Sequence, residues 1–409
     1  MARILARRAL RRGAVRTGGA DPLGSGAAMP VNGATFDPRL DGLYRDGRDV
    51  LGDAEWFDAH THIGQNDPDG RKATAEEIIG GLDQAGHQRA LVFAMHEPDG
   101  YGPANDAVLA ATAASGGRLV PLARVSPHHE DAVAEAKRCL DAGARGFKLH
   151  PRSDEFALPH PAVDEIVALA DERRMPVLFH AGRGIPHLGE AVVDLARRYP
   201  GARLILAHAG ISDLGWIARD AAELPNLFFD TAWWLVSDHL QLYATIPPGQ
   251  ILYASDMPYG PGLTTAFIFL RVARAVGLGG DAMRAIAGGQ LDRIMAGDDP
   301  LDLGPAPGRA AVGPRVIDAE RVVAYCATAL QLSFRGIDPT ESIALARLAC
   351  RTGLDDDTGL LLTYVDRLLE IALENLRDEP ETPRAPTPAL LLALTVAGTP
   401  TAGPPAVAL

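Results

Sequence analysis

Apolar residues gather in eight short runs rich in Val, Leu, Ile and Phe: AEWFDAH (54–60), ALVFAM (90–95), RLVPLARV (118–125), ARGFKLH (144–150), MPVLFH (175–180), ARLILAH (202–208), NLFFDT (226–231) and QILYAS (250–255). Between them lie stretches with helical spacing and good helix formers, such as TAEEIIGGLDQAGH (74–87), DAVAEAKRCLDAG (131–143), PAVDEIVALADERR (161–174) and GEAVVDLARRYPG (189–201). Continuous apolar strands alternating with amphipathic helices predict a parallel sheet buried on both faces. Eight such units are the number that closes a (β/α)8 barrel, placed at about 52–298. The rival, an open doubly wound sheet, lacks its phosphate loop, because HTHIGQNDPDG after the first strand is not GxGxxG.

After Pro300 the pattern breaks in a Gly/Pro-rich stretch, LDLGPAPGRAAVGP, and turns purely helical over 315–378. Three helices are predicted, at 317–334, 339–351 and 356–378. The second starts at IDPTES, with Asp338 as N-cap, Pro339 at the first helical position and Glu341 three residues after the cap. They are expected to form a separate small module for self-association or a partner protein. Residues 379–409 hold seven prolines and read as a disordered tail, and their apolar piece ALLLALTVA is too short to span a bilayer. Residues 1–51 read as a largely irregular extension. Its first 16 residues carry six arginines and no acid, and Arg7-Arg8 resembles a twin-arginine signal. No apolar segment follows, so Met29 stands as an alternative start.

Composition narrows the function. A chain of 409 residues with 47% apolar and 22% charged residues is globular and long enough for a large core with an appendage. The net charge of −13 argues against nucleic acid and toward a small-molecule substrate. Cys139, Cys326 and Cys350 are few, odd in number and far apart, so neither a disulfide framework nor a thiolate metal site is indicated, and a cytoplasmic location is expected.

In a (β/α)8 barrel the active site lies at the C-terminal ends of the strands, and here those ends are unusually polar. The first strand ends in His60 and His62, the fourth in Lys148 and His150, the fifth in His180, the sixth in His208, the seventh in Asp230, and the eighth is followed by Asp256. A His-Thr-His spacing on a strand sets both imidazoles on one face, aimed at one point, which suits a divalent cation. Arg152 and Arg183, just past the fourth and fifth strands, could grip a substrate carboxylate with paired hydrogen bonds. Trp233 and Trp234, past the seventh, could wall the pocket. His128, His129 and His187 read as surface residues.

The stretches FDAHTHIG, GFKLHP, VLFHAG, LILAHAG and YASDMPYG, in that order over 54–298, resemble the amidohydrolase superfamily, in the amidohydrolase-related branch that includes aminocarboxymuconate semialdehyde decarboxylase. The resemblance implies a divalent metal, usually zinc, held by His60, His62, His180 and Asp256, with His208 beside the water that the metal activates. Imidazole and carboxylate ligands with one position left open suit catalytic zinc, although Mn or Fe would also fit. One ion is expected. The alternative, a second ion bridged by a carboxylated Lys148, follows from the superfamily's two-metal members; with one metal, Lys148 and His150 face the substrate. Asp256 and His208 are then the catalytic pair. The expected reaction is hydrolysis of a small amide, ester or lactone, with non-oxidative decarboxylation of a small carboxylic acid as the alternative and a non-catalytic scaffold as a third reading.

Overall fold

The computed structural model describes residues 37–377 apart from 69 and 183, and then 387–407 and 409. Among the described residues, nine short strands form two parallel ladders, each in sequence order, the first of β1 (Phe57–Ile63), β2 (Arg89–Ala94) and β3 (Leu119–Pro121), the second of β4 (Ala123–Arg124), β5 (Phe147–Leu149), β6 (Pro176–Phe179), β7 (Arg203–Leu206), β8 (Leu227–Asp230) and β9 (Ile251–Leu252). β3 and β4 are halves of one barrel strand. Pro121 has no N–H to donate, and between the halves Leu122 N–H donates to Val92 O (2.9 Å), which keeps the ladder to β2. The last strand returns to the first: Ala59 N–H donates to Tyr253 O (2.9 Å), Asp256 N–H to His60 O (2.9 Å) and His62 N–H to Met257 O (2.8 Å). Eight staves thus form the expected (β/α)8 barrel.

Side chains alternate across the sheet as a period of two requires. Leu178, Ile205 and Phe228, partners in register on β6, β7 and β8, point into the barrel with Phe57, Leu91, Phe93 and Leu252. Their neighbours Val177, Phe179, Leu204, Leu206, Leu227 and Phe229 point out against the helices. The helices begin and end on sequence signals. Thr74 and Glu77 form a reciprocal capping box on the helix Ala75–Ala85, and Gly86 closes it at φ 73°, a conformation that glycine adopts without Cβ strain.

Two expectations about the ends change. Residues 37–51 are not an irregular extension: Asp41–Asp49 is a helix, Leu40, Leu43 and Tyr44 are buried, and the Tyr44 hydroxyl lies 2.9 Å from Thr264 Oγ1 on the helix Gly262–Ala275. The arginine-rich stretch and Met29 lie outside the described residues. The predicted helices appear as Ile317–Phe334, Thr340–Ala349 and Asp357–Arg377, with Asp338 accepting from Thr340 N–H at 2.9 Å.

They are joined by a fourth helix, Thr387–Gly398, inside the stretch expected to be a disordered tail. Its residues Ala389 to Ala397 are all buried. A helix apolar on every side has to be surrounded, and this one packs against Ile317–Phe334, Asp357–Arg377 and the barrel helix Gly262–Ala275. The chain beyond it is pinned by Arg271, whose Nε donates to Thr399 Oγ1 (2.9 Å) and Nη2 to Gly403 O (2.5 Å). The helical module is therefore docked on the barrel and not separate from it. Its outer face leaves Leu345, Leu348, Leu354 and Leu360 exposed. Among the described residues, no helix is long and apolar enough to cross a membrane.

Candidate metal centre

At the mouth of the barrel three ligand atoms converge. His60 Nε2 lies 3.1 Å from His62 Nε2 and 3.3 Å from Asp256 Oδ1, and His62 Nε2 lies 3.1 Å from the same oxygen. Metal–ligand bonds of about 2.0–2.1 Å in a tetrahedral arrangement set neighbouring donor atoms about 3.3 Å apart. The three donors therefore already stand at the spacing a small divalent ion requires. Two imidazoles and a carboxylate, all within 4.8 Å of one another, form the group.

The surroundings orient these donors. His60 Nδ1 donates to Asp230 Oδ2 at 2.7 Å, which leaves Nε2 as the lone-pair nitrogen facing the other two. Asp230 is fully buried at the end of β8, and its other oxygen accepts from His208 N–H (2.9 Å) and Ala232 N–H (3.0 Å). Asp58, also fully buried, holds His60 N–H and Ser255 N–H at 3.0 Å each, tying β1 to the segment that carries Asp256. Burial pushes the Asp58 carboxyl up to about 7, against those hydrogen bonds.

Asp256 itself sits at φ 62° and His208 at φ 55°, positions where a side chain other than glycine is strained. Both are held there, by Asp256 N–H to His60 O and His208 N–H to Asp230.

Across the mouth is a second histidine pair. His208 Nδ1 lies 2.6 Å from Ala232 O, which can only accept, so the proton sits on Nδ1 and Nε2 carries the lone pair. His180 Nδ1 donates to that nitrogen at 3.0 Å, and the His180 ring stacks on His150 at 3.8 Å. His180 thus stands with His208 and His150, outside the convergent group of three, so the structure brings together three of the four expected ligands. His150 Nδ1 accepts from Ser153 N–H (3.0 Å).

Lys148 is fully buried, with Nζ 3.4 Å from His60 Nε2 and 4.7 Å from the Phe93 ring centre. Burial, helped by the charge of Arg124, lowers its pKa well below that of an ordinary lysine. Arg152 is exposed, near enough for its charge to bear on His180. Trp233 is half-buried, its ring centre 6.1 Å from that of His208. Arg183 lies outside the described residues.

Sequence reading missed several members. Arg124 ends β4, pairs in register with Lys148 on β5, and is buried with its Nη2 on Ser153 Oγ (2.5 Å) and Asp154 Oδ1 (3.2 Å). Tyr101 donates to the same Asp154 oxygen at 2.6 Å. Tyr259 sets its ring edge-to-face on His62 at 5.2 Å and donates to Asp67 at 2.5 Å. The rule that strand ends carry the chemistry points to Arg124 at the end of RLVPLARV. Tyr101, Asp154 and Tyr259 lie on loops and leave no such mark.

The amidohydrolase family model matches residues 57–290, which takes in every one of these strands and the whole convergent group. The chain belongs to the amidohydrolase family. No curated protein matches it. Among solved structures, this amidohydrolase is similar to an uncharacterized TIM-barrel protein from Bordetella bronchiseptica (18% identity, 66% of this chain and 96% of the other, TM-score 0.48). It is also similar to an amidohydrolase from Burkholderia multivorans (15%, 59% and 99%, 0.48) and to 5-carboxyvanillate decarboxylase from Sphingomonas paucimobilis (15%, 59% and 99%, 0.47).

One residue just behind the mouth sets a pH limit on this amidohydrolase. His239 is buried, donates from Nε2 to Trp233 O (3.0 Å), and is pushed down to about 4 by burial. Between about pH 6.5 and 4 the unfolded chain binds a proton there that the folded chain does not, so stability falls as the pH drops through that window. The single group contributes up to roughly 3 kcal/mol. Urea unfolding at pH 7, 5.5 and 4.5 should show a shallower acid loss in His239→Gln than in the parent; parallel curves would dismiss the assignment.

Proposed function

We propose that the protein is a metal-dependent hydrolase of a small amide, ester or lactone, using one divalent ion, zinc by donor chemistry. The observation that carries the metal dependence is the convergence of His60 Nε2, His62 Nε2 and Asp256 Oδ1, with His60 already oriented by Asp230; decarboxylation of a small carboxylic acid would use the same donors. When bound, such an ion supplies Lewis acidity, polarising a carbonyl and bringing the pKa of water to about 7.

The chain's own residues supply the proton handling. Asp256, with 21% of its side chain exposed, is the most open of the three donors. It accepts the proton of the attacking water and returns it to the leaving group. His208 keeps its Nδ1 proton on Ala232 O, so it cannot donate to a carbonyl from Nε2; that nitrogen accepts from His180 Nδ1 (3.0 Å), and it would orient a water by accepting from it once His180 turned to the ion as a fourth ligand. Lys148, in contact with His60, faces the substrate as an unmodified amine, and a single ion accounts for the three converging donors. Arg152, at the rim, offers its guanidinium to a substrate carboxylate.

The test is a panel of lactones, esters and amides beside aromatic acids, with ring opening and CO₂ release followed together on metal-loaded protein. Hydrolysis is expected, and Asp256→Asn should lower its kcat by about 10²–10⁴. Release of CO₂ with no hydrolysis would replace this reading by decarboxylation.

A further inference from the structure

The helical module touches the barrel close to the mouth. Phe334, at the end of the helix Ile317–Phe334, sets its ring edge-to-face against Trp234 at 5.5 Å. Trp234 lies tilted against Trp233 at 5.9 Å, and Trp233 reaches His208 at 6.1 Å. This row of rings lies along the loop after β8, the same loop whose Ala232 carbonyl accepts the His208 Nδ1 proton. The far side of the loop is fixed by the helix Val236–Thr245: Trp233 Nε1 donates to Asp238 Oδ2 (2.7 Å), and His239 Nε2 donates to Trp233 O (3.0 Å). That helix is in turn covered by the module. A Cβ on Gly398 would stand 2.6 Å from Val236 Cγ1, so the final helix approaches it at backbone distance.

We propose that Phe334 is a positioning residue: by wedging Trp234 it fixes the loop carrying Ala232 O and Trp233, and so the tautomer and orientation of His208. The module then acts on the barrel's chemistry without contributing a ligand or a reacting group. The role given to His208 rests on the hydrolase reading; the contact row does not.

Orientation errors are costly in catalysis, since a displacement of about 1 Å lowers rates by roughly 10². The ring-to-ring route is indirect, and the expected effect is smaller. In the full-length, metal-loaded protein, Phe334→Ala should lower kcat about tenfold with KM changed less than about twofold, while Phe334→Trp, which keeps an aromatic wedge, should stay within about twofold of the parent.

The second readout needs no turnover. In ¹⁵N-histidine-labelled protein the Nδ1 proton of His208, held on a carbonyl, should appear as a slowly exchanging downfield signal, assigned by its loss in His208→Gln. Phe334→Ala should shift it and speed its exchange, whereas Leu348→Ala, on the module's exposed outer face, should leave it unchanged. An unchanged His208 signal in Phe334→Ala overturns the proposal, even if turnover falls, because the loss would then be one of general stability. A shifted signal in Phe334→Ala together with full activity in His208→Gln would uphold the positioning role and refute the catalytic reading of His208.

Discussion

His60→Ala is expected to purify with less than about a tenth of the parent's metal and to lose roughly 10³ in kcat/KM. His60 is the hub of the centre. Its Nε2 is within 3.1 Å of His62 and 3.3 Å of Asp256, its Nδ1 is on Asp230, and its carbonyl accepts the N–H of Asp256. Truncation leaves Asp230, fully buried, without the imidazole that partners its Oδ2, and leaves two donors where an ion needs three. Lewis-acid stabilisation is worth several kcal/mol, and each 1.4 kcal/mol is tenfold, which sets the expected loss. Metal content by plasma mass spectrometry beside turnover decides the matter. Stoichiometric metal in the variant would show that the ion, where one binds, is held elsewhere.

Deleting residues 387–409 is expected to abolish the soluble, folded protein, and not merely to trim a tail. The deleted helix buries Leu390, Leu391, Leu392, Leu394 and Val396. At about 1.5–3 kcal/mol for each fully buried aliphatic side chain, their contribution is of order 10 kcal/mol, as large as the whole stability of an ordinary domain. Arg271 loses its acceptors on Thr399 and Gly403 at the same time. Soluble yield and the cooperativity of thermal unfolding report the outcome. A soluble variant with the parent's melting temperature would mean that the helix contributes little.

The contrast between those two regions shows what a sequence can reveal. Strands announce themselves by apolar runs bounded by polar residues, and the strand-end rule then places His60, His62, Lys148, His180, His208, Asp230 and Asp256 at one mouth, where they are found. The His-Thr-His spacing predicted one face, and the two Nε2 atoms lie 3.1 Å apart even though the register of β1 against β2 shifts between Asp58 and Thr61.

What spacing could not show is which neighbour each ring chooses. His180 pairs with His208 because Ala232 O fixes the tautomer of the latter, a constraint set by a loop. The final helix was hidden for a different reason. Surrounded on all sides, it is apolar all round and has no 3.6-residue polar rhythm to detect, and the prolines at 386, 388 and 400 read as signs of disorder when two of them flank a helix and one sits in its first turn.

The position of that helix also bears on biosynthesis. It covers the face of Gly262–Ala275, yet it follows that face by more than a hundred residues of sequence. At about 5–20 residues per second, a ribosome takes on the order of ten seconds to deliver the cover. Throughout that interval the barrel can have its eight staves in place while an apolar flank stays open to water. Nascent chains of this protein are therefore expected to engage holdase chaperones after the barrel has emerged and to be released only once residue 398 has cleared the exit tunnel.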